Sequence, residues 1–207
     1  MTGEPDRGEA DPELAAALEA WDRGDITEAA MLAVLRDARL LIPIVAVAAD
    51  NTEKLTDMAL PKLVGSDGRH AVMAFSSVDA MKRWDPQARP VPVQAPRGCE
   101  AATGEGCALV VDVGGPVQVV LEGARLAAMA TGEQIPSPEE DPDVRSVIQA
   151  IVDSDPDASS FTLAPSDAGD LLVMVKAADP SSAARVARAI AVALRYRFRA
   201  LEFRAEP

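Results

Sequence analysis

The side chains that could support catalysis are few and widely spaced. His70 is the only histidine, and Cys99 and Cys107 are the only cysteines. A Cys-His or Ser-His mechanism needs the nucleophile within hydrogen-bonding distance of its base. No motif in the sequence joins these residues, and the Gly-x-Ser-x-Gly turn of serine hydrolases does not occur. We therefore expect His70 to be a half-exposed strand residue and both thiols to be free core residues.

Two acidic or glycine-rich segments resemble ligand-binding loops only in part. Residues 153–157 have the alternating acids of a calcium loop, but Ala158 and Ala164 stand where such a loop needs glycine and glutamate. Residues 112–116 place two glycines after a predicted strand, yet a strand and not a helix follows, unlike a phosphate loop. We predict an acidic turn and a glycine turn, with no metal, no cofactor and no catalytic residue.

Arginines cluster near the C-terminus and form a candidate partner surface: Arg185, Arg188, Arg195, Arg197 and Arg199. The first three are predicted on the polar side of a helix. The last two alternate with aromatic residues in a predicted strand, so that they share one face. This surface is either an edge strand guarded against aggregation or a contact for an acidic protein or a second copy. We expect charge reversal at Arg197 and Arg199 to disrupt a complex and not folding.

The composition indicates a globular protein that avoids nucleic acid and membranes. The 207 residues carry a net charge of −13, which repels phosphate backbones. Apolar residues make up 48% and aromatic residues 3%, so the core must depend on many small contacts. The sequence has no apolar run of about 18 residues and does not begin like a signal peptide. We expect a soluble protein in the cytoplasm.

The N-terminal part is predicted to be an α+β domain, residues 11–130, after a disordered tail of residues 1–10. Caps and apolar spacing predict a helical hairpin, in which Asp25 and Glu28 resemble a capping box for the second helix. Short β-branched runs and an Asp-Gly turn at residues 67–68 then predict a mixed or antiparallel sheet with helices.

The C-terminal part is predicted to be a smaller α-β-β-α-β unit, residues 142–207. An acidic, proline-rich linker at residues 131–141 separates it from the first domain. Its last strand is expected at residues 196–203. A unit of this size is marginally stable alone, so we expect it to pack on the first domain.

Three segments carry a resemblance to a known family: Leu41-Ile42-Pro43-Ile44-Val45; the hairpin region with Leu60-Pro61-Lys62-Leu63-Val64, Asp67-Gly68-Arg69, Ala74-Phe75-Ser76-Ser77 and Trp84; and Leu109 to Val117. Together they resemble the N-terminal domain of the SseB-like family in its actinobacterial form, over roughly residues 25–130. Here Ser76 replaces a threonine, and Asp112-Val113 replaces Asn-Pro. The resemblance implies the fold. The family name is connected with type III secretion, and no enzyme activity, cofactor or catalytic residue follows from it.

These observations favour a non-enzymatic protein that acts as a protein-protein interaction or regulatory module, through a protein partner or self-association. The alternative is a small-molecule enzyme that uses carboxylates in a pocket between the two units, because motif reading does not detect such carboxylates. Two carboxylates that converge in a deep pocket would favour the enzyme. An exposed apolar groove would favour binding.

Overall fold

A computed structural model describes residues 8–44, 61–65, 68–166 and 169–206. The N-terminal part contains five helices and six strands within these ranges: α1 Pro12–Asp22, α2 Glu28–Asp37, β1 Arg39–Ile44, β2 Lys62–Val64, β3 His70–Ala74, α3 Val78–Trp84, β4 Arg89–Gln94, α4 Ala95–Gly104, β5 Ala108–Val111, β6 Val119–Leu121 and α5 Gly123–Thr131. The C-terminal part contains α6 Pro142–Ser154, β7 Ala158–Ala164, β8 Leu171–Ala177, α7 Pro180–Ala193 and β9 Leu201–Glu206. The predicted α+β class is confirmed.

The chain begins with the predicted helical hairpin. The Asp11 carboxylate accepts hydrogen bonds from the first backbone N–H groups of α1, where proline occupies the first turn. The cap of α2 differs from the prediction, because the Thr27 side chain accepts the bond from the Ala30 N–H. Asp25 pairs instead with Arg23, at 2.8 Å. A cap closer to the helix satisfies the free donors of its first turn directly.

The central sheet has four strands in the order β2-β3-β5-β6. The β2–β3 hairpin is antiparallel as predicted, β3 and β5 run parallel, and β5 and β6 are antiparallel. Strands β1 and β4 form a separate antiparallel pair, linked to the sheet by a bridge between Leu41 and Phe75. The predicted Asp-Gly turn falls partly outside the described residues, since Ser66 and Asp67 are not among them.

The two faces of the central sheet differ in what covers them. Alternate residues point to one face, and this inner face packs on the helices in the main core, with members such as Val72, Ala74, Leu109, Val111 and Leu121. On the outer face, Met73 packs under α3 in a second, smaller cluster. Of the other outer-face residues, Val110 is buried, and four are half-buried: Leu63, Ala71, Ala108 and Val120.

The predicted disordered tail is too long at its C-terminal end. Residues 1–7 lie outside the described residues, but the Gly8 carbonyl accepts a hydrogen bond from the Val78 N–H at 2.8 Å. Gly8 is buried and has a φ of +73°, and a Cβ there would lie 2.2 Å from the Val78 side chain. Only glycine allows this close approach at a positive φ. The amino-acid composition of residues 1–10, from which the tail was predicted, gives no signal of this contact between Gly8 and Val78.

The C-terminal unit is a three-stranded sheet, β7-β8-β9, with its own core. Both helices begin at an Asp-Pro pair, where Asp141 and Asp179 cap α6 and α7. The last strand begins at Leu201, so the prediction of a strand at residues 196–203 is wrong at its start. Residues 194–200 form turns instead, because the Asp170 carboxylate accepts bonds from the backbone of Arg199 and Ala200 at 2.7 and 3.0 Å. Among the described residues, no helix has both the length and the apolar character needed to cross a membrane.

Candidate functional site

The five predicted arginines do not share one surface. Arg185 lies on α7 and pairs with Asp155 and Asp157 at the start of β7, at 3.1 and 3.3 Å. Arg188 is exposed on the same helix. The other three, Arg195, Arg197 and Arg199, lie in the turns between α7 and β9. Each of them contacts a different set of residues.

Arg197 belongs to a buried group of charges that we call the seam: Glu28, Arg125, Asp141 and Arg197. In this order, the four residues are 4%, 2%, 0% and 9% exposed to solvent. Arg197 Nη2 lies 2.7 Å from Asp141 Oδ2, and its Nε lies 3.7 Å from Glu28 Oε2. Arg125 donates to Glu28 and to the Val120 carbonyl. Two arginines therefore neutralise two acids, and the seam joins α2 and α5 to the start of α6 and the turns after α7.

Burial and pairing act against each other in the seam. Burial raises the pKa of Glu28, and the nearby charges of Arg125 and Arg197 oppose that shift. Burial lowers the pKa of Arg125, and the charge of Glu28 opposes that shift in turn. A buried charge without a partner is very unfavourable. Each member of the seam thus depends on the others.

Two further contacts extend the connection between the parts. The Asp143 carboxylate accepts a hydrogen bond of 2.6 Å from the Ala124 N–H at the start of α5, and the side chain of the N-cap residue, Glu122, makes no capping hydrogen bond. Gly123 makes room for it, since a Cβ there would lie 1.9 Å from Asp143 Oδ2. Arg199 pairs with Asp22 at 3.3 Å and lies 4.0 Å above the ring of Trp21.

Beside the seam lies an open cavity of about 800 Å³, which we call the groove. Its floor is the half-buried part of the outer sheet face, formed by Leu63, Ala71, Ala108 and Val120. Its edges include Val64 and Tyr196, which are 63% and 54% exposed. Large apolar side chains with such exposure on a concave surface are typical of a contact region.

Among the described residues that line the groove, the charged side chains are four arginines and one carboxylate. Arg69 pairs with that carboxylate, Glu122, at 2.5 Å. Arg125 and Arg197 are held in the seam. Arg195 has no acidic partner in the part of the chain that the structure describes. Its guanidinium donates to the Val192 carbonyl and the Tyr196 hydroxyl, and it lies 4.2 Å from the centre of the Tyr196 ring.

The histidine and one of the two cysteines come near each other but do not form a dyad. His70 and Cys107 both line the groove, next to the aligned pair Ala71 and Ala108 of β3 and β5. The Cys107 thiol donates to the Glu105 carbonyl at 3.3 Å, and no hydrogen bond among the described residues joins it to His70. Cys99 is fully buried in the core, where burial raises the pKa of its thiol to about 12. A thiol with a raised pKa, such as that of Cys99, is not activated as a nucleophile.

Asp112 is a buried carboxylate at a second, smaller cavity of about 280 Å³ beside Trp84. It accepts a hydrogen bond of 2.9 Å from the Ser76 N–H, which fixes the segment before α3. Burial raises the pKa of Asp112, while the bonds from Ser76 and the charge of Arg83 oppose the shift. Its φ of +54° is in the left-handed region, which aspartate tolerates better than most residues. Asp112 therefore holds a turn together.

Comparison with protein families adds an identity for the N-terminal part. Residues 14–128 match the SseB protein N-terminal domain, which is more than half of the 207 residues. The chain belongs to the SseB family. Comparisons with curated proteins and with solved structures gave no match. The resemblance predicted from the sequence is thus confirmed.

The part matched to the SseB family contains the floor of the groove but not all of its wall. The match ends at residue 128, within α5. Arg195 and Tyr196, which line the groove, come from the C-terminal unit, as does Arg197 of the seam, and Asp141 is the N-cap residue of α6. In this member of the SseB family, the seam is one of the contacts that hold the two groove residues beside the family domain.

Sequence reasoning missed both the seam and the groove. Glu28 was interpreted as part of a capping box, residue 141 as part of the linker and Arg197 as a surface residue. Arg125 offered the one signal, because it stands among the apolar residues of a predicted helix. A charged residue at such a position indicates a buried pair.

Proposed function

We propose that this SseB-family protein is a cytoplasmic, non-enzymatic module that binds a protein partner in the groove. The observation that supports this most is the half-buried apolar floor of the outer sheet face, bordered by the exposed Tyr196 and by Arg195, a cation without an acidic partner among the described residues. Contact regions between proteins combine an apolar centre with tyrosine and arginine in this way. Arg185 and Arg188 of α7 do not line the groove, and we keep them as a second, separate part of the predicted partner surface.

The enzyme alternative has less support from the groove. Its volume of about 800 Å³ is suitable for a small molecule. General acid-base chemistry of the predicted kind, however, needs two carboxylates near one substrate. Among the described residues that line the groove, Glu122 is the only carboxylate, and Arg69 already pairs with it.

A photo-crosslinking amino acid at position 196 tests the proposal in the full-length protein. The matched control carries the same amino acid at Val147, an exposed position of α6 that does not line the groove. We expect light-dependent adducts with another protein from position 196 and few from position 147. Equal adducts from both positions, or none from position 196, would contradict a partner in the groove.

A further inference from the structure

We infer that the groove binds an extended, acidic segment of another protein, with apolar side chains on the sheet floor and a carboxylate on Arg195. This inference rests on the proposed function and names the chemistry of its partner. Three features of the described residues support it: the free edge of β2, the charge at Arg195, and the geometry of the Arg195 side chain.

The first feature is the edge strand. In the described part of the chain, β2 pairs only with β3, so its other edge has no strand partner. An extended peptide can add to such an edge through its backbone. Leu63 of β2 points to the floor, in register with Ala71 and Ala108. Alternate side chains of a bound strand would therefore continue this apolar face.

The second feature is charge complementarity. Pairing within the protein neutralises Arg69 with Glu122 and the two seam arginines with Glu28 and Asp141. Arg195 is left as the cation at the groove, in a protein whose net charge is −13. A basic peptide would be repelled by Arg195, whereas an acidic one would gain a pair there. The local contact at Arg195 therefore favours an acidic side chain at this position, although the net charge of the whole protein acts against it.

The third feature is the geometry of Arg195. The ring of Tyr196 lies 4.2 Å below its guanidinium, and bonds to Val192 and Tyr196 use only part of its five donors. A planar guanidinium that is already oriented loses little freedom when it binds a carboxylate through two parallel hydrogen bonds. Arg195 is thus prepared to receive an acidic side chain.

Selection of random peptides displayed on phage tests the inference with the full-length protein. Parallel selections use the wild type, Arg195→Glu, and Arg188→Glu as a control exposed on α7. We expect the wild type and Arg188→Glu to enrich acidic peptides with alternating apolar residues. Arg195→Glu should weaken the binding of an enriched peptide by about ten-fold to a hundred-fold, the usual effect of losing a hydrogen bond to a charged group.

Each other outcome contradicts the inference. Enrichment of basic peptides, enrichment of no peptide, or equal affinity of the wild type and Arg195→Glu for an enriched peptide would overturn it. Adducts from position 196 in the crosslinking experiment would still support a protein partner. An adduct of twice the chain mass would instead identify a second copy. A crosslink to residues 45–60 of the same chain would identify an intramolecular occupant. Absence of both adducts and peptides would reject the proposed function as well.

Discussion

Arg195 and Arg197 are two residues apart, yet they belong to regions with opposite properties. Arg197 is buried in the seam between Asp141 and Glu28. Arg195 is exposed at the groove, stacks on Tyr196 and keeps donors available. An arginine side chain therefore stabilises the fold at position 197 and is available to bind a partner at position 195. The turns between α7 and β9 allow this difference, since a regular strand would have placed both residues on one face.

The comparison also shows how a cationic cluster in a sequence can mislead. Clustering along the chain predicts a shared surface only where the local structure is regular. Once Arg197, Arg199 and Arg185 are paired with acids, the local excess of positive charge is reduced to a few exposed side chains. Recognition then depends on which cation remains unpaired next to an apolar surface.

Replacement of Arg197 should have the largest effect on stability. Arg197→Ala leaves Asp141 and part of Glu28 buried without their counter-charge, which costs about 3 kcal/mol or more. Arg195→Ala, the matched control, should change the free energy of unfolding by about 0.5 kcal/mol or less. Urea denaturation of both variants measures the difference. Equal destabilisation of the two variants would remove the distinction between seam and groove.

On the same grounds, charge reversal at Arg197 and Arg199 should impair folding, contrary to the expectation from the sequence.

Loss of the Asp143 contact should have an intermediate effect. Asp143→Ala removes the hydrogen-bond acceptor at the start of α5, and loss of a helix cap costs about 1 kcal/mol. Asp153→Ala on the same helix is the control, because Asp153 is exposed and contacts only the side chain of Gln149 in the described structure. Thermal or urea unfolding compares the two. If Asp153→Ala were the more damaging change, Asp143 would not connect the parts of the chain.

The pH dependence associated with Asp112 should be the smallest effect. The pKa of its carboxyl is raised in the folded state, so its contribution to stability is complete below the ordinary value of 3.8 and is lost as the pH rises through the folded pKa. The stability of the wild type relative to Asp112→Asn should therefore fall as the pH rises from about 3.8 towards neutrality.

Asp79→Asn provides the control for this pH experiment, because it removes the same charge from an exposed position in the first turn of α3. Its stability relative to the wild type should not follow the Asp112 profile. A wild type that gains stability over Asp112→Asn with rising pH would show that pairing, and not burial, controls this carboxyl.

Local signals in the sequence predicted most of the elements. The caps at Asp11, Ser77, Asp141 and Asp179 are local signals, because each cap is one side chain next to the helix that it caps. The site required contacts between distant residues, which periodicity does not encode: Glu28 meets Arg125 across 97 positions of the chain. We propose that residues 131–141 do separate two units, since each side has its own core.

Hydrogen exchange measured by mass spectrometry on the full-length protein, with and without a peptide enriched in the selection, is the most direct test of the groove as the binding surface. We predict slower exchange at β2 and around residues 195–196, with exchange at the start of α5 and α6 beside the seam unchanged. Protection limited to the face of α7 that carries Arg185 and Arg188 would contradict this account.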